Sequence, residues 1–309
     1  MNGGISYSRG WRWRMLRTAL IGLATASLAT GAVETAKGQS PMTPTPMPAQ
    51  VPAKEGWLEL ADTRLYYWDT GGNGQPIILL HPSTGSALIW VYQQPVFAKA
   101  GYRVIGYSRR GHYNSAPIAE GKAGNAADDL RELIDFLGIK RFHAVASASG
   151  GSTAAEFAVL HPDRLFSLTV SSNTFGIRSG AIAKAAASIR PKNWDDIPEE
   201  VQEVGPSYRA ANPEGLKLWL DLEHKALVGK IRGQPRREMT EAKLEQLKVP
   251  TLLISGAADL FTPPSISRMV AAKIPNSELV IAPESGHSVY WEQPDVFNKA
   301  VLDFIGRNN

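Results

Sequence analysis

Short, almost uninterrupted apolar runs recur along most of this chain, separated by stretches of helical spacing, and that alternation restricts it to few architectures. Residues 77–80, 103–107, 142–146, 168–171, 251–255 and 278–282 have strand length and few polar interruptions. Runs without polar alternation suit parallel strands covered on both faces. Residues 126–137, 152–160, 265–273 and 295–305 read as helices lying between or after them. In the first helix Leu130, Leu133, Ile134 and Leu137 fall at i, i+3, i+4 and i+7, and Gly138 supplies the stop. The alternation predicts an α/β fold built on a doubly wound, mostly parallel sheet. Ahead of it, 57–60 and 65–69 flank Ala61-Asp62-Thr63-Arg64 and read as a hairpin. A chain of 309 residues that is 43% hydrophobic has ample material for one large core.

The N-terminus differs from the rest. Arg9, Arg12, Arg14 and Arg17 precede an apolar, small-residue run over 19–32, the pattern of a secretory signal peptide ending by residue 36. That run is too short and too rich in alanine, glycine and threonine to span a bilayer comfortably. The expectation is therefore export to the periplasm or the medium, without stable membrane insertion. Residues 37–54 are too rich in proline for helix or sheet and read as a linker. Loss of residues 1–36 removes four arginines and Glu34, lowering the formal charge from +4 to +1, so no nucleic-acid footprint remains. The absence of cysteine excludes disulfides and thiolate metal sites, and no other metal-ligand spacing is present.

One block breaks the alternation. Residues 174–246 contain no convincing strand, only helical patches (181–189, 198–211, 214–228) punctuated by Pro191, Pro198, Pro206, Pro213 and Pro235. The expected organisation is a core of 55–173 and 247–309 with a helical cap inserted between two strands. Ligands bind outside the carboxyl ends of strands in such sheets, which is where the cap would sit. Within and beside it, Trp194, Tyr208, Trp219 and Phe175 are candidate substrate-binding residues, although core packing is the ordinary use of each.

The stretch from Gly138 to Gly151, with Ala146-Ser147-Ala148-Ser149-Gly150 at its centre, resembles the strand–elbow–helix of α/β hydrolases, whose nucleophile lies between small residues as G-x-S-x-G. Two registers fit. Gly138 and the corner His161-Pro162-Asp163-Arg164 lie at the family's usual distances from Ala148 and one residue off for Ser149, which favours Ala148 as the nucleophile position. Alanine cannot attack a carbonyl. The chain is then a serine enzyme deliberately changed to hold its substrate, a natural inactive relative that binds a ligand, or an enzyme that uses Ser149 after all.

The resemblance implies the remaining roles. Asp259, just beyond the strand 251–255, is similar to the family's acid, and His287 in the next strand's exit loop to its base; the order nucleophile, Asp, His matches the fold. Of the other histidines, His143 is inside a strand, His161 in a helix-end corner, His224 in the cap, and His112 in Arg110-Gly111-His112, similar to the family's structural turn. His81-Pro82-Ser83 resembles the oxyanion loop, so the backbone amides of Ser83 and Ser149 would meet a developing oxyanion. The implied activity is cofactor-free hydrolysis of a carboxylic ester or lactone through an acyl-enzyme, with amide or C–C bond hydrolysis, or non-catalytic ligand binding, as alternatives. Haloalkane and epoxide hydrolysis on this fold need a carboxylate nucleophile, which position 148 does not provide.

Overall fold

The computed structural model describes residues 42–231 and 233–309. The leader expected at 1–36 and the first part of the linker lie outside the described residues. Residues 42–53 form neither helix nor strand, yet they are not loose: the Val51 amide donates to the Gln94 side chain, which donates back to the Val51 carbonyl, at 3.1 and 2.7 Å.

Eight strands form one sheet in the order β1-β2-β4-β3-β5-β6-β7-β8. They are β1 (Lys54–Leu60), β2 (Thr63–Asp69), β3 (Pro76–Leu80), β4 (Arg103–Tyr107), β5 (Phe142–Ser147), β6 (Leu165–Ser171), β7 (Thr251–Gly256) and β8 (Glu278–Ala282). The first two form the expected hairpin, with β1 taking Lys54 from the end of the proline-rich segment, and β2 pairs antiparallel with β4. All remaining pairings are parallel.

Successive strand residues face opposite sides, so each strand feeds two cores. Ile78 and Leu80 of β3 join one hydrophobic cluster and Ile77 and Leu79 the other. The first is covered by α2 (Ala126–Phe136), α3 (Ser149–Leu160) and α9 (Pro264–Ala271), through Leu130, Leu133, Phe157 and Val270. The second is covered by α1 (Gln94–Lys99), α10 (Val289–Glu292) and α11 (Pro294–Ile305), through Phe97, Trp291, Phe297 and Val301. Helix α2 starts where Asn125 accepts from the Ala127 and Asp128 amides, and Gly138 follows its end at φ +67°, the left-handed conformation that glycine adopts at helix ends.

Between β6 and β7 the chain carries α4 (Gly180–Ser188), α5 (Glu199–Glu203), α6 (Pro206–Ala211), α7 (Pro213–His224) and α8 (Glu241–Glu245). The sequence reads 198–211 as one helical patch, whereas the structure breaks it in two. Gly205 stands at the break, where a Cβ would lie 2.7 Å from both Glu292 Oε2 and the Gly286 amide. Pro206 then opens α6 at a position where its missing N–H costs nothing. Among the described residues no helix is long and apolar enough to cross a membrane.

Candidate active site

Parallel strands open their exit loops on one edge of the sheet, and that edge gathers Ser83 after β3, Ala148 after β5, Asn173 after β6, Thr262 after β7 and His287 after β8 around a cavity of about 480 Å³. Asp259 also belongs to the β7 exit loop.

Ala148 joins β5 directly to α3 at φ +46° and ψ −122°, a backbone conformation rarely adopted by a residue with a Cβ. Its amide donates to the Ser171 carbonyl at 2.9 Å and its carbonyl accepts from Gly151 at 2.8 Å, so the turn is held from both sides. The next helix turn presses on the neighbouring strand: a Cβ on Gly150 would lie 2.2 Å from the Leu80 carbonyl oxygen. The tight turn therefore centres on Ala148. Ser149 is already the first residue of α3, and its Oγ accepts from Arg109 Nη2 at 2.9 Å.

His287 Nδ1 lies 2.9 and 3.1 Å from the two oxygens of Asp259. Oδ1 of Asp259 also accepts from the Phe261 and Thr262 amides at 2.8 and 2.9 Å, which fixes the carboxylate in place. Burial by itself would raise the Asp259 carboxyl, but the His287 charge and these hydrogen bonds outweigh it and hold the group below its usual range. Burial would likewise lower the His287 imidazole, yet the Asp259 and Glu203 carboxylates prevail and raise it to about 9. The pair thus favours an imidazolium facing a carboxylate. The Phe261 ring lies against His287 with centroids 4.4 Å apart.

Ser83 and Ser149 both line the cavity wall. Ser149 is at the start of α3, where an N–H has no acceptor within the helix. The loop carrying Ser83 is pinned by two histidines kept uncharged. His81 Nδ1 contacts the Pro82 carbonyl at 2.6 Å while Nε2 accepts the Arg109 amide at 3.1 Å, which fixes the tautomer. The His112 ring is 4.6 Å from that of His81, and its Nε2 is 3.3 Å from the Ser83 carbonyl. Burial, reinforced by the Arg109 charge, lowers both imidazoles, His112 to about 4. Arg110 anchors the adjoining turn with paired bonds of 2.8 Å to Asp129 and one of 2.7 Å to Asp62. His143 meets Ser167 at 2.8 Å inside the sheet, and His224 is exposed.

The four aromatic candidates fare differently from expectation. Phe175, Tyr208 and Trp219 are fully buried in the two hydrophobic clusters and do not line the cavity. Their apolar area is used for packing the inserted segment onto the core, the commoner fate of a large ring. Trp194 is half-buried against Phe261, centroids 4.7 Å apart, behind the cavity wall.

Two carboxyls that the sequence reading passed over lie beside His287. Glu292 accepts from the amides of Gly205, Gly286 and Ser288 at 2.9, 2.9 and 3.2 Å, tying the inserted segment to the histidine loop. Burial raises it to about 7. Glu203 lines the cavity, and its backbone carbonyl accepts from the Ser288 amide at 2.9 Å. Burial, only partly offset by His287, raises the Glu203 carboxyl as well. The one sequence signal for Glu292 was an acidic residue directly after the apolar run Val289-Tyr290-Trp291. Among the described residues no group of three or more His, Cys, Asp or Glu side chains is placed to hold a metal ion.

Comparison with known proteins identifies the family and the fold. A hydrolase of Pseudomonas putida named for 2-hydroxy-6-oxononadienedioate and 2-hydroxy-6-oxononatrienedioate is 28% identical over 272 residues, covering 82% of this chain and 94% of its own. The solved structure of a thermophilic esterase from Thermogutta terrifontis with malate bound superposes with a TM-score of 0.67 at 23% identity, over 82% of this chain and 99% of that one. The enol-lactonase from Burkholderia xenovorans LB400 gives 0.63 at 24% identity, over 81% and 100%. Residues 77–300 match the model of the alpha/beta hydrolase family, and the chain belongs to that family.

Proposed function

We propose that this site takes a carboxylic ester or lactone, with its carbonyl oxygen on the Ser83 and Ser149 amides and its carbonyl carbon over position 148. His287 is the proton carrier, and Asp259 fixes its tautomer and stabilises its charged form. In an Ala148→Ser form the hydroxyl would attack the carbonyl carbon, His287 would take its proton and pass it to the departing alcohol oxygen as the C–O bond breaks, and water activated at the same imidazole would then hydrolyse the acyl-enzyme. As the chain stands, the methyl of Ala148 replaces the attacking group, so it binds substrate and turns it over slowly through the oxyanion site alone.

The observation that carries this reading is the strained elbow at Ala148 opening on the same cavity as His287, whose other nitrogen is held by Asp259. The strain serves no packing need of an alanine; its use is to lift a side chain clear of the sheet. The relevant experiment compares this chain with Ala148→Ser on nitrophenyl esters and lactones, with fluorophosphonate labelling alongside. Turnover and labelling at position 148 in the serine form alone support the reading. Fast turnover by the unchanged chain with labelling at Ser149 would overturn it.

A second reading is hydrolysis of a C–C bond next to a carbonyl, favoured by the name of the Pseudomonas putida relative. The same oxyanion amides and the same base would serve, with a carbon leaving group protonated by His287. Residues 1–36 support the further proposal that the reaction takes place outside the cytoplasm.

A further inference from the structure

The cavity wall is cationic in a way that hydrolysis itself does not require. Arg178, Arg190 and Arg236 line the main chamber, with Glu203 as its one carboxyl. A smaller chamber of about 160 Å³ shares Ser83, Ser149 and Arg236 with it and adds Arg109. The shared wall therefore contains both oxyanion amides and one guanidinium.

Several other arginines are neutralised: Arg103 by Asp69, Arg110, which also borders the smaller chamber, by Asp62 and Asp129, and Arg237 by Asp128 and Glu156. Among the described residues neither Arg109 nor Arg236 has a carboxylate within ion-pair distance. Glu199 and Glu223 also border the smaller chamber. Arg190 is occupied differently, over the rings of Trp194 and Phe261 at 5.3 and 5.5 Å.

Arg109 is 6% exposed, and its Nε finds no partner. Its Nη2 donates to the Pro82 carbonyl at 3.2 Å and to Ser149 Oγ, leaving the rest of the fork unused. Arg109 is a buried cation without a counter-ion, which is costly, and the half-buried Arg236 at the same chamber repels it. Burial lowers both groups, Arg109 to about 10, and each feels a like charge, Arg236 acting on Arg109 and Arg178 on Arg236, against a partial offset from Tyr107 and Glu156 respectively. An anion seated between them would relieve both costs. A planar carboxylate matches the guanidinium fork.

We propose that the natural ligand carries a carboxylate a short chain away from its reacting carbonyl, seated in the smaller chamber between Arg109 and Arg236. The length follows from volume. At about 160 Å³ the chamber matches a cavity of about 150 Å³ that takes one benzene, so it has room for a carboxylate and two or three carbons. The placement of the carbonyl rests on the function proposed above; the anion seat does not, because binding requires no nucleophile.

The test uses the full chain as it stands, which binds without turnover obscuring the reading. Monoethyl succinate and diethyl succinate are titrated by calorimetry at fixed ionic strength, with inorganic phosphate as a competitor. The expected result is a preference for the monoester on the order of tenfold to a hundredfold, as for hydrogen bonds to a charged partner. Arg236→Gln should abolish the preference and Arg236→Lys should restore part of it. Equal affinity for the two esters would overturn the proposal, as would an Arg236→Gln protein that folds and keeps the preference. Phosphate competing as well as the monoester would overturn the assignment to a carboxylate. Hydrolysis of both esters by Ala148→Ser, measured in parallel, separates the two ideas. A binding preference without hydrolysis removes the catalytic reading alone, and hydrolysis without a preference removes the anion seat alone.

Discussion

His287 Nδ1 sits 2.9 Å from Asp259 Oδ1, so the imidazole is held by a carboxylate while its ring still borders the cavity shared with Ala148. The acid that holds the base is itself fixed by two backbone amides, from Phe261 and Thr262. The hydrogen-bonded pair is thus held rigidly beside a side chain that cannot react.

With the hydroxyl supplied by Ala148→Ser, a second change of Asp259→Asn should reduce kcat by on the order of 10⁴, because the wrong tautomer would face the hydroxyl. KM should move little, since Asp259 does not line the cavity. Steady-state kinetics on a nitrophenyl ester checks this; a loss below about tenfold would remove Asp259 from the proposed role.

The pH profile follows from the raised imidazole. As a base His287 must be neutral, so kcat/KM of the Ala148→Ser form should rise with pH through about 9 and then level. Glu203 is among the groups raising it, so Glu203→Gln should move that midpoint downward. Stability runs the other way. The folded value lies above the unfolded one of about 6.5, so the contribution is complete below that pH and is lost as pH rises through about 9. Urea titrations at several pH values check the sign.

The elbow gives a prediction without catalysis. At φ +46° glycine is unstrained and alanine is not, so Ala148→Gly should raise stability by about 1 kcal/mol. Ala148→Val should lower it, because a β-branched residue tolerates this region least. Midpoints of urea unfolding read both, and a destabilising glycine would mean that the strain is absent in solution.

At Gly150 the same turn tolerates no added carbon. Its substitution by alanine places Cβ 2.2 Å from the Leu80 carbonyl oxygen, which forces α3 away from β3. The cost should be about 1–3 kcal/mol, typical of overpacking. Gly138→Ala, which meets nothing within 4 Å, serves as the comparison for the loss of a left-handed glycine alone.

Much of the fold was readable because its signals are local. Strands β4 and β8 begin and end where the apolar runs 103–107 and 278–282 do. Asp259 and His287, which the family resemblance singles out, each follow a strand by only a few residues. Helices α1 and α10 escaped because six and four residues are too short to show a period. What escaped at the site is long-range. Glu292 takes a hydrogen bond from Gly205, 87 positions away, and Arg236 lines the same chamber as Arg109. No spacing in a sequence encodes such meetings. Trp219 and Tyr208 misled for a related reason: a large ring in a helical insertion looks the same in sequence whether it lines a pocket or fills a core.

The chain leaves β6 at Ser171 and enters the adjacent β7 at Thr251. A parallel crossover between neighbouring strands needs only a dozen or so residues, and the returning part here, through Met239, Leu244 and Val249, already belongs to the sheet's own core. What precedes it is a surplus over the crossover's minimum length, even though Phe175, Ile182, Tyr208 and Trp219 within it pack into the two cores, and lengthening such a loop costs only logarithmically. That surplus contains Arg178, Arg190, Glu203 and Arg236. Changes confined to this segment can therefore alter four of the cavity's wall residues while the strands and His287 stay in place.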